Sequence, residues 1–197
     1  MTAAATWQWS ILFKNKPVIE EIVIRPARPE DAKPIATVQI KTWQIAYAGI
    51  FPTDRLAALN EELESRAERW ESLLGDAERV SVTFVAESGG RVIGFANGGK
   101  QVKANFPQDA ELFAIYLLPE YHGKGIGRRM FTAAADDLRN LGFSSLLLWV
   151  LADNLSSRGF YERLGGEFCG EDDYLRWGRN YRLAAYSWPS LDALTGK

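Results

Sequence analysis

The chain has 197 residues, 47% of them hydrophobic, enough to bury one core and shape a cleft. Its 23 Lys+Arg against 25 Asp+Glu give a net charge of -2, without the basic surplus of a phosphate-backbone binder, so nucleic acid is not expected as a partner. One cysteine, Cys169, and one histidine, His122, exclude an internal disulfide and a structural zinc site built from those ligand types, and a reducing cytoplasm is the expected setting.

Residues 1–17 carry Trp7, Trp9, Ile11, Leu12 and Phe13 with no basic residue ahead of them, so they lack the secretory-signal pattern. They are expected to form an arm or extra strand before one domain over 18–197. Residues 18–25 alternate β-branched and charged side chains up to Pro26, which predicts a first strand. Pro29, Glu30 and Asp31 open a helix, since acids suit its positive end, and Pro34 is tolerated only in the first turn. Apolar Ile35, Val38, Ile40, Trp43 and Ile45 carry it toward Tyr47 and Gly49, and a second helix is predicted over 55–74, closing at Gly75. Runs 80–87 and 91–98, joined by Ser88-Gly89-Gly90, predict a hairpin, and 110–118 a further strand stopping at Pro119.

From Gly125 the spacing turns helical, with Gly127, Phe131, Ala134, Leu138 and Leu141 on one face and Gly142 as the stop. Residues 144–151 read as a buried strand, 154–164 as a short helix ending at Gly165-Gly166, and Phe168 and 181–186 as two last strands. The longest apolar run, 146–152, falls short of the roughly 20 residues that span a bilayer, so no membrane partner is expected. Without repeats or low-complexity linkers, the class is α+β or α/β, a sheet with helices on its faces.

The most informative segment is Leu117-Leu118-Pro119-Glu120-Tyr121-His122-Gly123-Lys124-Gly125-Ile126-Gly127-Arg128, between a strand and a strongly periodic helix. Alternate glycines bring backbone close to a ligand, and the turn's amides with the helix's positive end suit phosphate oxygens. Gly125 stands in the Ser/Thr slot of a Walker A loop, and a dinucleotide G-x-G-x-x-G would need glycine at Arg128 or Met130, so both of those loops are excluded. The run His122-Gly123-Lys124-Gly125-Ile126-Gly127 instead resembles the Gln/Arg-x-x-Gly-x-Gly/Ala pyrophosphate loop of the GNAT acyltransferases, with His122 where Gln or Arg is usual. The resemblance covers about the last ninety residues and, more loosely, the amino-terminal strand and helices.

That resemblance implies a mixed, mostly antiparallel sheet splayed at the coenzyme site with helices on both faces. It also implies transfer of acetyl from acetyl-CoA to a primary amine of a small molecule or peptide, without a metal. His122, Gly123, Lys124, Gly125, Ile126, Gly127 and Arg128 would hold the pyrophosphate, and the backbone of Ile115, Tyr116 and Leu117 the pantetheine arm. Tyr161 matches the tyrosine that protonates the departing thiolate, although it would also serve as a core tyrosine beside Phe160 and Leu164. Asn154 matches a coenzyme contact and equally suits a helix cap. Glu111 stands where relatives place a base, though a strand-end glutamate is commonly just solvated; His122, in the pyrophosphate loop, is a poorer base.

Trp43, Tyr47 and Phe51 fall where the family builds its acceptor wall, or simply pack. Glu171-Asp172-Asp173, near Tyr174 and Trp177, would attract a cationic amine or merely be solvated, and Cys169 reads as an inert buried thiol. The rival reading is a catalytically silent acyl-CoA sensor, against which the presence of Tyr161 and Asn154 argues. Homodimerisation is compatible with either.

Overall fold

The computed structural model describes residues 21–76, 80–102 and 106–194; the expected arm over 1–17 and the start of the predicted first strand lie outside them. Strands β1 (Ile22–Pro26), β2 (Ser81–Ser88), β3 (Arg91–Lys100) and β4 (Ala110–Leu117) form an antiparallel meander. The predicted Gly89-Gly90 turn joins β2 to β3, both glycines at positive φ. β4 crosses through helix α4 (Ile126–Asn140) to the parallel strand β5 (Leu146–Leu151), and β6 (Glu167–Arg176) and β7 (Arg179–Trp188) close the sheet as a hairpin. The sheet order is β1-β2-β3-β4-β5-β7-β6, mixed and mostly antiparallel.

Among the described residues three α-helices precede β2: α1 (Ala32–Ala46), α2 (Thr53–Ala58) and α3 (Leu63–Gly75). Pro34 sits in the first turn of α1, where its missing N–H costs nothing. The single helix expected over 55–74 is broken by a 3-10 turn at Leu59–Glu62. The tighter turn lets Leu56 and Leu59 reach a small core with Ile40, Phe51 and Leu151, while Ala67 and Trp70 of α3 reach the main one.

Adjacent residues of a strand point to opposite faces, and β3 shows both faces covered. Phe95 meets the Trp70 ring of α3 at 5.1 Å, whereas a Cβ on neighbouring Gly94 would stand 3.2 Å from Met130 of α4. The last of the helices, α5 (Leu155–Arg163), follows β5 and starts at Asn154, whose side chain accepts from Ser157 N–H at 3.1 Å. Among the described residues no helix is long and apolar enough to cross a membrane. Cys169, expected to be buried, is exposed on β6, which is the edge strand of the sheet among the described residues.

Candidate active site

The site begins with a defect in the sheet. The β4–β5 ladder covers only Ala110–Leu112 and 146–148, although β4 runs on to Leu117 and β5 to Leu151. At that point Phe113 is an extra residue against β3, since Asn97 faces Ala114 and Gly98 faces Leu112. A bulge sharpens twist, and past it the two strands diverge into a V. Asp109 fastens the closed end by accepting from the backbone and hydroxyl groups of both Ser144 and Ser145 at 2.8 to 2.9 Å. Burial pushes its carboxyl up, but those hydrogen bonds bring it down to about 2.

Two hollows meet in the V. One, of about 460 Å³, runs along the glycine loop and α5, past Ile115, Leu117, Gly125, Gly127, Phe160 and Tyr161. The other, of about 610 Å³, lies between the open strands and is walled by Trp43, Tyr47, Phe51, Tyr116, Trp149 and Tyr174. Ile115, Leu117, His122, Ser156, Ser157 and Tyr161 line both.

In the first hollow the glycine loop supplies backbone. Gly123 and Gly125 have φ of 72° and 75°, with nothing within 4 Å of where a Cβ would stand. Gly125 caps α4 without a side-chain hydrogen bond, leaving the first amides of the helix directed at open space, which fits phosphate oxygens. The predicted loop side chains turn elsewhere. His122 Nε2 donates to the Leu117 carbonyl at 2.9 Å, Lys124 Nζ to the Glu120 carbonyl at 3.0 Å, and Arg128 to the Arg163 carbonyl at 3.1 Å. A carbonyl only accepts, so His122 carries its proton on Nε2.

In the second hollow, aromatic residues from distant segments gather. Tyr47 and Phe51 rings stand 5.1 Å apart, Phe51 meets Trp177 at 5.2 Å and Tyr181 at 4.8 Å, and the Tyr47 and Tyr116 hydroxyls share a hydrogen bond of 3.0 Å. Burial pushes the Tyr47, Tyr116 and Tyr161 hydroxyls up from the ordinary phenol value, so they keep their protons at neutral pH. Among the described residues this lining holds no Asp, Glu, Lys or Arg, and nowhere do three His, Cys, Asp or Glu side chains gather as a metal site would.

The structure does not bring Glu111 into that lining: it precedes the divergence, and its Oε2 accepts from Val102 N–H at 3.3 Å. The acidic run on β6 is partly self-neutralised, since Glu171 and Asp173 both pair with Arg182, at 2.7 and 2.9 Å. Asn154 is a helix cap that also lines the second hollow.

Residues 39–166 match the model of the acetyltransferase (GNAT) family. The chain belongs to the GNAT acetyltransferase family. An uncharacterised N-acetyltransferase of Bacillus subtilis, YuaI, is 35% identical over 88% of this chain and 96% of its own length. The spermidine N(1)-acetyltransferase of Thermoplasma acidophilum is 27% identical over 73% of this chain and 87% of its own. The crystal structure of the PaiA N-acetyltransferase from Thermoplasma acidophilum with coenzyme A superposes with a TM-score of 0.62 at 25% identity, covering 83% of this chain and 98% of that one.

This GNAT chain is therefore an acyltransferase with a divergent V at the centre of its sheet. The sequence reading assigned Tyr116 through its backbone alone and missed its hydroxyl in the cleft. It also missed Arg176, which packs against Trp43 and Tyr174. A signal for Arg176 was present: it alternates with Tyr174 along one strand face, just before the Trp177-Gly178 turn.

Proposed function

We propose that the protein transfers the acetyl group of acetyl-CoA to a primary amine of a small molecule or peptide by direct attack, without a covalent enzyme intermediate. The observation that carries this reading is the junction of the two hollows at Tyr161, which lines both. A donor held along the glycine loop and an acceptor held by the aromatic wall would meet there.

Acetyl-CoA supplies the activated thioester. The loop amides around Gly123, Gly125 and Gly127 would hold its pyrophosphate, and the open backbone edge of Ile115 to Leu117 its pantetheine arm. Asn154 has its Oδ1 committed to Ser157 and its amide N–H groups left to bind the coenzyme. The lining without acids disfavours an ammonium ion. The acceptor thus enters as the neutral amine, its nucleophilic form, and its proton goes to water held by the Tyr47–Tyr116 hydroxyl pair. Tyr161, kept protonated by burial, delivers its proton to the departing thiolate.

Thiol release from acetyl-CoA tests the reading against amines that include amino acids, peptide amino termini, aminoglycosides and the relative's polyamine. Turnover with one class supports it. Binding of acetyl-CoA without turnover of any amine would remove it.

A further inference from the structure

Resting on that reading, we propose that the acceptor is a primary amine bearing an anionic oxygen group, a carboxylate or a phosphorus oxyanion, and that Tyr174, polarised by Arg176 behind it, receives that group at the wall of the cleft.

The hairpin tip that carries Arg176 is built at a cost. Trp177 is the one non-glycine residue with positive φ, 49°, among the described residues, in a two-residue turn with Gly178 where Asn or Asp is the usual choice. A bulky side chain in that conformation persists where its surroundings hold it. Here the Trp177 ring packs edge-on against Phe51 at 5.2 Å and covers the Arg176 guanidinium at 4.4 Å, with Trp43 against the same cation at 4.9 Å. The turn thus positions a cation between the Trp177 indole and that of Trp43, which lines the hollow.

That cation is left without an anion. Arg176 makes no ion pair among the described residues, and its Nε is buried without a partner. By contrast Arg66, which packs on the same Trp43 ring, pairs with Glu62 at 2.9 Å. Asp172, on the same strand face two residues beyond Tyr174, accepts from Asp173 N–H at 2.8 Å and does not line the hollow. Buried donors are nearly always satisfied, and a half-buried guanidinium ordinarily meets a carboxylate or phosphate.

Tyr174 extends the reach of Arg176 into the cleft. Its hydroxyl oxygen accepts from Arg176 Nη1 at 2.8 Å, so its own proton is free to donate, and it lines the hollow. A cation-polarised O–H suits an anionic oxygen. Conversely, a lining without acids offers a second ammonium group no partner, which disfavours polyamines.

The test compares matched amines: an aromatic or aliphatic amino acid, its phosphonate analogue, its amide and its decarboxylated amine. Acetyl-CoA turnover gives one readout, and calorimetry on the coenzyme A-loaded protein gives binding without chemistry. The acid or phosphonate should exceed the amide and the decarboxylated amine in kcat/KM by about tenfold to a hundredfold. Arg176→Gln should bring that ratio toward one, and Arg176→Lys should restore it only in part; a ratio is insensitive to how much of a variant is folded. Equal or better use of the decarboxylated amine, or a ratio untouched by Arg176→Gln, overturns the proposal. Absence of turnover with an anion preference in binding that Arg176→Gln erases would sink the transferase reading and leave this recognition standing.

Discussion

The two hollows that meet at Tyr161 are made of different material. The hollow proposed for the coenzyme is backbone: amides after Gly123 and Gly125 and the strand edge past the bulge at Phe113. The hollow proposed for the acceptor is side chain, drawn from α1, from Phe51 and from the β6–β7 hairpin. A backbone site depends on φ values that few residues adopt, so it tolerates little substitution. A side-chain wall changes residue by residue while the scaffold stays, which is how one fold serves many acceptors.

The sharpest way to break this contrast is at the residue common to both sides. Tyr161→Phe keeps the ring packed against Phe160 at 5.4 Å and removes only the hydroxyl that would give up the proton. We expect kcat to fall about a hundredfold or more, as for loss of a general acid, while calorimetry shows coenzyme affinity within about twofold of the parent. An unchanged kcat would return Tyr161 to the role of a core tyrosine. Next in size is Gly125→Val. At φ 75° a side chain costs about 1–2 kcal/mol, more for a branched one, and here it also fills the cradle. The coenzyme Kd should rise at least about tenfold, with the KM for amine little altered; an unchanged Kd would mean that the loop amides do not grip the coenzyme.

The same contrast explains what the sequence disclosed. Gly123, Gly125 and Gly127 sit within five residues, and their spacing is the signal because the chemistry is local. The V was implied only by resemblance, since nothing in 110–118 or 144–151 announces that two apolar strands will part after Leu112 and Leu148. The packing of Arg176 on Trp43 was illegible because the two are more than a hundred residues apart in the chain. Glu111 illustrates the converse: its place at the strand start was clear, but a strand residue's face depends on register, and it lies before the divergence rather than within it. The continuous helix expected over 55–74 failed because helical periodicity does not reveal that Leu59 and Trp70 serve different cores.

The closed end of the V sharpens the comparison, since both hollows depend on it. The Asp109 carboxyl falls from 3.8 in its ordinary state to about 2, and each unit corresponds to 1.36 kcal/mol, so the clamp contributes about 2 kcal/mol. A depressed carboxylate stabilises fully above its unfolded pKa and loses that contribution as pH falls through the folded one. Asp109→Asn should therefore lower unfolding stability in urea by about 2 kcal/mol at pH 7. The gap to the parent should hold above about pH 4 and close as pH drops toward 2. A gap independent of pH would mean that packing, not charge, closes the V.

The smallest effect belongs to the acids that the sequence offered as an amine attractor. Glu171 and Asp173 are 46% and 56% exposed and already paired with Arg182, itself 59% exposed, and surface ion pairs of this kind contribute little. The double variant Glu171→Gln, Asp173→Asn leaves the Arg182 charge uncompensated on the exposed face of the β6–β7 hairpin. If this hairpin steered acceptors by charge, KM would fall for anionic amines and rise for cationic ones, most strongly at low salt. We expect neither shift to exceed about twofold at physiological ionic strength, where charges more than about 8 Å apart are largely screened. Paired steady-state titrations at two salt concentrations decide it: opposite, salt-sensitive shifts would move recognition from the half-buried cation at Arg176 to the exposed hairpin face.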